Sequence, residues 1–306
     1  MMQNSDFNTP IVFITYIRLD TTKQVFDEIK KIKPPVLYHI SDAGKDEASK
    51  ARVEQVRKYV TDNIDWPCEL HTNYAEENMG CKRRIQSGLD WVFENEERAI
   101  ILEDDVVPSQ SFFYFCQDML ERYKDDERVM MVTGNKRIPD YHMETDYTFS
   151  KFCSIWGWAT WRRAWAYYDS EMKNWPIVKR TRLLKKVYGE DVAMTLTREF
   201  ELTFDGEINS WAYRWHLGML CNNGLEIVPK CNLIENIGQD NVDSTHYFKN
   251  EIITKKNEMD FPIQYLEAIA HDENYDKQMA VKLFRVNIFE KLTRKIVPAK
   301  WLKSVR

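Results

Sequence analysis

The most chemically loaded stretch of the chain is Ala99-Ile100-Ile101-Leu102-Glu103-Asp104-Asp105-Val106-Val107-Pro108, an apolar run that ends in three consecutive acids. Adjacent carboxylates repel one another, and a divalent cation is the usual compensation. In extended geometry Glu103 and Asp105 point to one face and Asp104 to the other, so two jobs are available, one at a metal and one at a hydroxyl. So small a cluster does not complete the shell of Mg2+ or Mn2+, which draws its remaining oxygens from substrate phosphates and water. The implied ligand is a diphosphate or a nucleotide. Neither G-x-x-x-x-G-K-[ST] nor G-x-G-x-x-G occurs, so a P-loop and a dinucleotide fingerprint are both excluded. The plainer alternative is a solvated acidic turn; position at the end of an apolar strand favours a site, because ligands of open α/β sheets bind beyond the carboxyl ends of strands.

The elements that must position these acids are legible upstream. Residues 11–15 (IVFIT) read as a strand, with Thr21 and Thr22 as candidate helix caps. Val25, Phe26, Ile29 and Ile32 mark a helix that stops before Pro34-Pro35. Val36–Ile40 is a second strand ending in Ser41-Asp42-Ala43-Gly44, and Val53, Val56 and Val60 mark a second helix. Cys68–Asn73 is a third strand, Ile85, Leu89, Val92 and Phe93 a third helix, and Ala99–Leu102 the strand of the acids. A helix then starts near Ser109 or Ser111, with Phe112, Phe115, Cys116, Met119, Leu120 and Tyr123 on its inner face. The alternation predicts an α/β domain with a largely parallel sheet over residues 8 to about 107. Beyond Thr133 the periodicity loosens and tryptophans cluster. Trp158, Trp161 and Trp165, at i, i+3 and i+7, predict one helical face. The expected organisation is a nucleotide half over 8–133, an acceptor half over 134–250, a connector over 251–276 and a tail over 277–306.

Composition narrows the class. The chain has 306 residues, 43% hydrophobic and 30% charged, with only 10 Gly and 10 Pro, which excludes disordered and collagenous chains. Apolar runs reach four or five residues, far short of the roughly 18 a membrane span needs. Met1–Asp6 carries no basic or apolar leader, so the expected location is the cytoplasm. Six well-separated cysteines with no C-x-x-C predict free thiols. The net charge of −5 is uneven: from Lys277 to Arg306 nine Lys/Arg face one acid, Glu290. In that tail Val281, Phe284, Ile288, Leu292 and Ile296 fall at helical spacing, Phe289 widens the stripe, and Trp301 and Leu302 follow Pro298. The pattern suits a helix lying on an anionic membrane surface, the inner face of the cytoplasmic membrane; a helix packed on its own domain is the alternative. The acidic remainder argues against nucleic acid as a partner.

Several blocks together resemble a family. Thr15-Tyr16-Ile17-Arg18 after the first strand, Ser41-Asp42-Ala43-Gly44 after the second, Asn78-Met79-Gly80-Cys81 before a helix, and Glu103-Asp104-Asp105 before a Phe-Phe helix resemble nucleotide-sugar glycosyltransferases of the GT-A fold, especially the N-acetylglucosaminyltransferase I-like and bacterial polysaccharide enzymes. Weaker blocks continue through Ser154–Trp161, Ser210–Trp215 and Asn232–Gly238. The resemblance implies a Rossmann-like, mixed and mostly parallel sheet with helices on both faces. It implies a metal-dependent transferase that moves a sugar from a nucleotide-diphosphate sugar, with Mn2+ or Mg2+, to a hydroxyl of a glycan or lipid-linked acceptor. The donor is expected to be UDP-linked, the transfer inverting, and the setting bacterial surface polysaccharide synthesis (lipopolysaccharide or capsule). Asp105 would bind the metal, Asp104 the ribose and Glu103 the donor sugar. Arg18 and Asp42 would hold the nucleotide, Asp42 near the base, and Lys82 or Arg83 would meet the diphosphate unless they form only a solvated first turn. Trp156, Trp158 and Trp211 are candidates for a sugar platform, with core packing as the alternative. His246 would be a second metal or phosphate ligand. Where the family places its base, an Asp after a Trp, this chain has Ala212. The remaining candidates are Glu207, Asp205 and Asp191. Two other readings stay open: a nucleotidyltransferase, which would normally carry a Gly-rich loop where Thr15–Thr22 has no Gly, and an inactive sugar-binding relative.

Overall fold

A computed structural model describes residues 7–238 and 255–284. In chain order the elements are β1 (Ile11–Thr15), α1 (Leu19–Ile32), β2 (Val36–Ser41), α2 (Glu47–Asp62), β3 (Glu69–Tyr74), α3 (Cys81–Asn95), β4 (Arg98–Glu103), β5 (Val106–Pro108), α4 (Gln110–Arg122) and β6 (Val129–Thr133). The second half holds β7 (Tyr147–Ser150), β8 (Trp158–Trp161), α5 (Arg162–Trp165), α6 (Trp175–Thr181), α7 (Leu183–Tyr188), α8 (Glu190–Phe204), α9 (Ala212–Cys221), β9 (Leu225–Pro229), β10 (Ile234–Asn236) and α10 (Glu273–Phe284).

Eight strands form one sheet in the order β3-β2-β1-β4-β8-β6-β9-β7. The pairs β3–β2, β2–β1, β1–β4 and β6–β9 are parallel, whereas β8 runs antiparallel to both β4 and β6, and β7 antiparallel to β9. Because β8 reverses between them, β4 and β6 point the same way, and the carboxyl ends of β1, β2, β4, β6 and β9 share one edge. The expected α/β class with a mixed, mostly parallel sheet is what the chain adopts. Strands covered on both faces read as continuous apolar runs. In β1, Ile11 and Phe13 enter one core with Val25, Phe26 and Ile29 of α1 and Phe112, Phe115 and Met119 of α4. Val12 and Ile14 enter the opposite core with Ile85, Leu89 and Val92 of α3. Each fully buried side chain of this size stabilises the fold by about 1.5–3 kcal/mol relative to exposure. A third core, built from α6 to α10 around Trp175, Leu196 and Phe200, covers the second half.

Three local expectations change. Thr21 and Thr22 lie inside α1, whose N-cap is Arg18; their hydroxyls donate to the Arg18 carbonyl instead of capping. The tryptophans from Trp158 to Trp161 form β8, not a helix, and their odd spacing sends Trp158 into one core and Trp161 into the other, as a strand requires. The stretch from 255 to 272, expected as a connector, packs into the domain: Met259 and Ile263 are buried, and the Glu258 carboxylate accepts from the Gln110 and Ser111 amides at the first turn of α4. The described start of the basic tail, α10, buries Tyr275 and Met279 in the third core and stacks Phe284 on Phe152 at 5.3 Å. Residues 285–306, with the rest of the amphipathic stripe, lie outside the described residues. All six cysteines are free. Among the described residues no helix is long and apolar enough to cross a membrane.

Candidate functional site

Register brings the expected blocks to one level of the sheet edge. Thr15 pairs with Ser41 and Ile14 with Glu103, so Arg18, Asp42 and the acidic triplet all emerge just beyond β1, β2 and β4. The short ladder of β10 on β5, Asn236 opposite Val106 and Ile234 opposite Pro108, lays residues 234–238 against the triplet.

Arg18 is the hub. One guanidinium nitrogen, Nη2, pairs with Asp104 Oδ1, and Nη1 lies 2.8 Å from Asp105 Oδ2. Asp104 is 3% exposed and also accepts from the Tyr16 amide at 3.2 Å. It therefore holds Arg18 and does not present an open carboxylate to a ribose, a correction to its expected role. Burial opposes charge on Arg18, but Asp104 and Asp105 outweigh it and hold the guanidinium above its ordinary range. Burial pushes the Glu103 carboxyl up, and Asp105 and Asp104 push it further, with Arg18 pulling back. Three acids and one cation leave an excess of negative charge. Glu103 and Asp105 Oδ1 have no hydrogen bond or ion pair among the described residues. Hard, all-oxygen donors suit Mg2+ or Mn2+. Among the described residues, however, no group of three or more His, Cys, Asp or Glu side chains is arranged to hold a metal. Such an ion would take a protein ligand from Asp105 and its remaining oxygens from elsewhere. His246 lies outside the described residues.

Gly238 closes the pair from above: its amide follows the Ile237 N–H that donates to the Asp105 carbonyl at 2.9 Å. A Cβ at this position would sit 2.1 Å from Asp105 Oδ2 and 2.9 Å from Arg18 Nη1, so only glycine fits without moving the ion pair.

Asp42 does a different job from the one expected. Its Oδ1 accepts from the Ala43 and Met79 amides at 2.9 Å, and its Oδ2 from the Gly80 amide at 2.9 Å and Asn78 Nδ2 at 3.2 Å. At 6% exposure with four donors it clamps the 78–80 loop to the end of β2 and is not open to a base. The clamp aims the N-terminus of α3, whose N-cap Gly80 has φ 75°, at the triplet. Cys81, the first helical residue, shows the direction: burial raises its thiol, and Glu103, Asp105, Asp42 and Asp104 raise it further. Lys82 is half-buried, and its charged neighbours are Arg214, Glu171 and Arg83 rather than the acids; burial and Arg214 hold its ammonium below the ordinary range. Arg83 is exposed. Cys81, Tyr16 and Gly238 had no role assigned from the sequence, although each stands in one of the blocks singled out there: Thr15–Arg18, Asn78–Cys81 and Asn232–Gly238.

The tryptophans divide. Trp158 and Trp211 are 1% and 4% exposed and stack on each other at 5.5 Å beside Trp165 and Trp215. They are core, which removes them as a sugar platform. Trp156 is half-buried and precedes Gly157, where a Cβ would meet Ile234 at 2.6 Å and Val106 at 3.3 Å, next to the triplet. The base candidates divide as well. Asp191 and Asp205 stand at opposite ends of α8, roughly 20 Å apart at 1.5 Å per residue. Asp191 lines a cleft with Tyr188 and with Ala280 and Val281 of α10. Asp205 and Glu207 belong to the exposed turn leading to Asn209, whose amide nitrogen would lie 3.6 Å from a Cβ on Gly80. The structure thus brings the Glu207 end of α8 to the site and leaves Asp191 out.

No family model matches the chain, and no curated protein matches it. Solved structures do. A mannosyltransferase from Pyrobaculum calidifontis, in complex with GDP-Man and Mn2+, matches over 62% of this chain at 13% identity, TM-score 0.33. S. aureus TarS (fragment 1–349) matches over 74% at 11% identity, TM-score 0.39. The 4-diphosphocytidyl-2C-methyl-D-erythritol synthase from Anaerococcus prevotii matches over 54% of this chain and 77% of its own, at 14% identity and TM-score 0.34. This chain spans 51% of the mannosyltransferase chain and 59% of the TarS chain. Likeness at this level carries no conclusion about this chain, and the chemistry rests on the residues at the edge of β1, β2 and β4.

Proposed function

We propose that this chain is a GT-A-type, metal-dependent glycosyltransferase that moves a sugar from a nucleoside-diphosphate sugar to a hydroxyl of a glycan or lipid-linked acceptor. The carrying observation is the Arg18–Asp104–Asp105 cluster, with Glu103 in excess, at the carboxyl edge of three parallel strands. A bound Mn2+ or Mg2+ would neutralise the departing nucleoside diphosphate. Asp105 would hold it through Oδ1. Arg18 would turn part of its guanidinium to phosphate oxygens, with the α3 N-terminus adding amide donors. Glu103 would accept from a donor-sugar hydroxyl, and Trp156 would flank the sugar. Glu207, with Asp205 second, would take the acceptor proton in an inverting transfer. A uridine nucleotide, a bacterial surface polysaccharide acceptor and membrane contact through residues 285–306 complete the reading and rest on the family resemblance and the tail's composition.

The glycine-free turn from Thr15 to Thr22 disfavours a nucleotidyltransferase. Ala212 is the feature that favours an inactive relative. Nucleoside diphosphate release from a panel of nucleotide sugars, with and without Mn2+, separates the readings. Metal-dependent release from one donor, reduced at least about 100-fold by Asp105→Ala, is the expected result. Nucleotide binding without release, even with membrane extract supplied as acceptor, would leave the inactive relative.

A further inference from the structure

A second charged site lies on the same sheet edge. Lys136 follows β6 and Lys230 follows β9, both strands parallel in direction to β4. Strands lie about 4.8 Å apart, so β6 and β9 stand roughly 10 and 14 Å from the acids at the end of β4. The ground between is continuous backbone: the Gly134 amide donates to the Gly157 carbonyl at 2.7 Å, the Leu233 amide donates to the Gly134 carbonyl at 2.8 Å, and Gly157 borders Val106.

Lys136, Lys230, His142 and Asp140 help line a cleft of about 420 Å³. Lys136 is 5% exposed, and its ammonium donates to the carbonyls of Pro139 at 3.2 Å and Tyr141 at 2.6 Å. It has no ion pair among the described residues, and its third N–H has no acceptor among them. The one carboxylate lining the cleft, Asp140, points to Lys282 at 3.4 Å, and Lys230 is paired with Asp146. A buried ammonium without a counter-ion is costly: it either gives up its proton or is completed by an anion, and the open cleft beside Lys136 leaves room for one. Burial already holds Lys136 below the ordinary lysine range.

We propose that the Lys136 cleft binds an anionic group of the acceptor, a phosphate or a uronate carboxylate, while its hydroxyl is presented to the donor at the acids. The proposal rests on the transferase reading. Its test is the shift in Tm produced by methyl phosphate and by glucuronate at fixed ionic strength, with methyl glucoside as the neutral control. At least one anion raises Tm by several degrees, methyl glucoside does not, and the shift is lost in Lys136→Met but kept in Lys82→Gln on the donor side. Which anion acts tells a phosphate-bearing acceptor from a uronate-bearing one. No anion-specific shift in the wild type, or an equal shift in Lys136→Met, overturns the proposal. If Lys136→Met does not fold, the exposed Lys230→Gln decides, an unchanged shift again overturning it. Absence of metal-dependent nucleoside diphosphate release in the wild type would defeat the transferase reading separately, since that assay needs no acceptor anion.

Discussion

Two buried carboxylates, one in each half of the chain, carry different burdens. Asp42 accepts four hydrogen bonds, three of them from backbone amides, and in return fixes the loop that aims α3 at the acids. Glu226, 0% exposed in β9, accepts among the described residues only from Ser154, at 2.7 Å from its amide and 3.2 Å from its hydroxyl, and has Asp276 nearby. Burial pushes its carboxyl up to about 8, and Asp276 adds to the rise against the hydrogen bonds of Ser154. The comparison teaches that charge alone does not mark a working carboxylate. In the first half, backbone amides satisfy a buried charge and convert it into loop geometry; in the second half, a poorly satisfied acid is kept neutral within the core.

The tryptophans sharpen the same contrast between position and residue type. Trp158→Ala removes a fully buried ring from between β4 and β6 and should lower unfolding free energy by about 3–5 kcal/mol in urea titration. Trp156→Ala should leave that value within about 1 kcal/mol and act on acceptor KM instead; equal losses in both variants would break the division between core and site. Asp42→Ala strands the Ala43, Met79 and Gly80 amides and should cost about 3 kcal/mol, read in the same titration. Gly238→Ala should weaken Mn2+ binding by about tenfold, measured by titration calorimetry, because the new Cβ displaces the Arg18–Asp105 pair. A last effect, spread over several pH units, concerns pH. Glu226 keeps its proton in the fold up to about 8 but loses it near 4.5 in the unfolded chain, so stability falls as pH rises between those values and is level above them. The share of that slope owed to Glu226 should not exceed about 1.4 kcal/mol per pH unit, and the raised carboxyl of Glu103 adds a share of its own. Glu226→Gln should reduce the slope by up to that share in urea titrations from pH 5 to 8, and an unchanged slope would assign the whole dependence to other groups such as Glu103.

Much of the first half was legible. Strands β1, β2 and β4 are largely buried on both faces and the helices carry 3.6-residue stripes, so these elements follow from local pattern, as does the placement of the triplet at a strand end; β3, a polar edge strand, follows from its place in the alternation. The second half resisted for a physical reason. In β8, WATW carries large rings at odd spacing, which is equally a helical i, i+3 pair; pairing with β4 and β6 on both sides decides for a strand. The same applies to 255–272, where burial of Met259 and the Glu258 carboxylate at α4 depend on partners about 150 positions earlier in the chain. The triplet was legible as a cluster, yet its internal division was not: that Asp104 is sealed by Arg18 while Glu103 is unpaired among the described residues depends on the level at which β1 and β4 are registered.

Local composition by itself determined the α/β alternation, the acids at the end of β4, the free thiols and the uneven charge, because each is a property of neighbouring residues. Only the tertiary structure decided that Asp42 is a clamp, that Trp158 and Trp211 are core, that Asp191 stands at the far end of α8 from the site, and that Lys136 is buried without an ion pair among the described residues. Those outcomes turn on which donors, rings and charges meet across the sheet, and desolvation makes such meetings decisive: a polar group removed from water must be satisfied by whatever the fold brings to it.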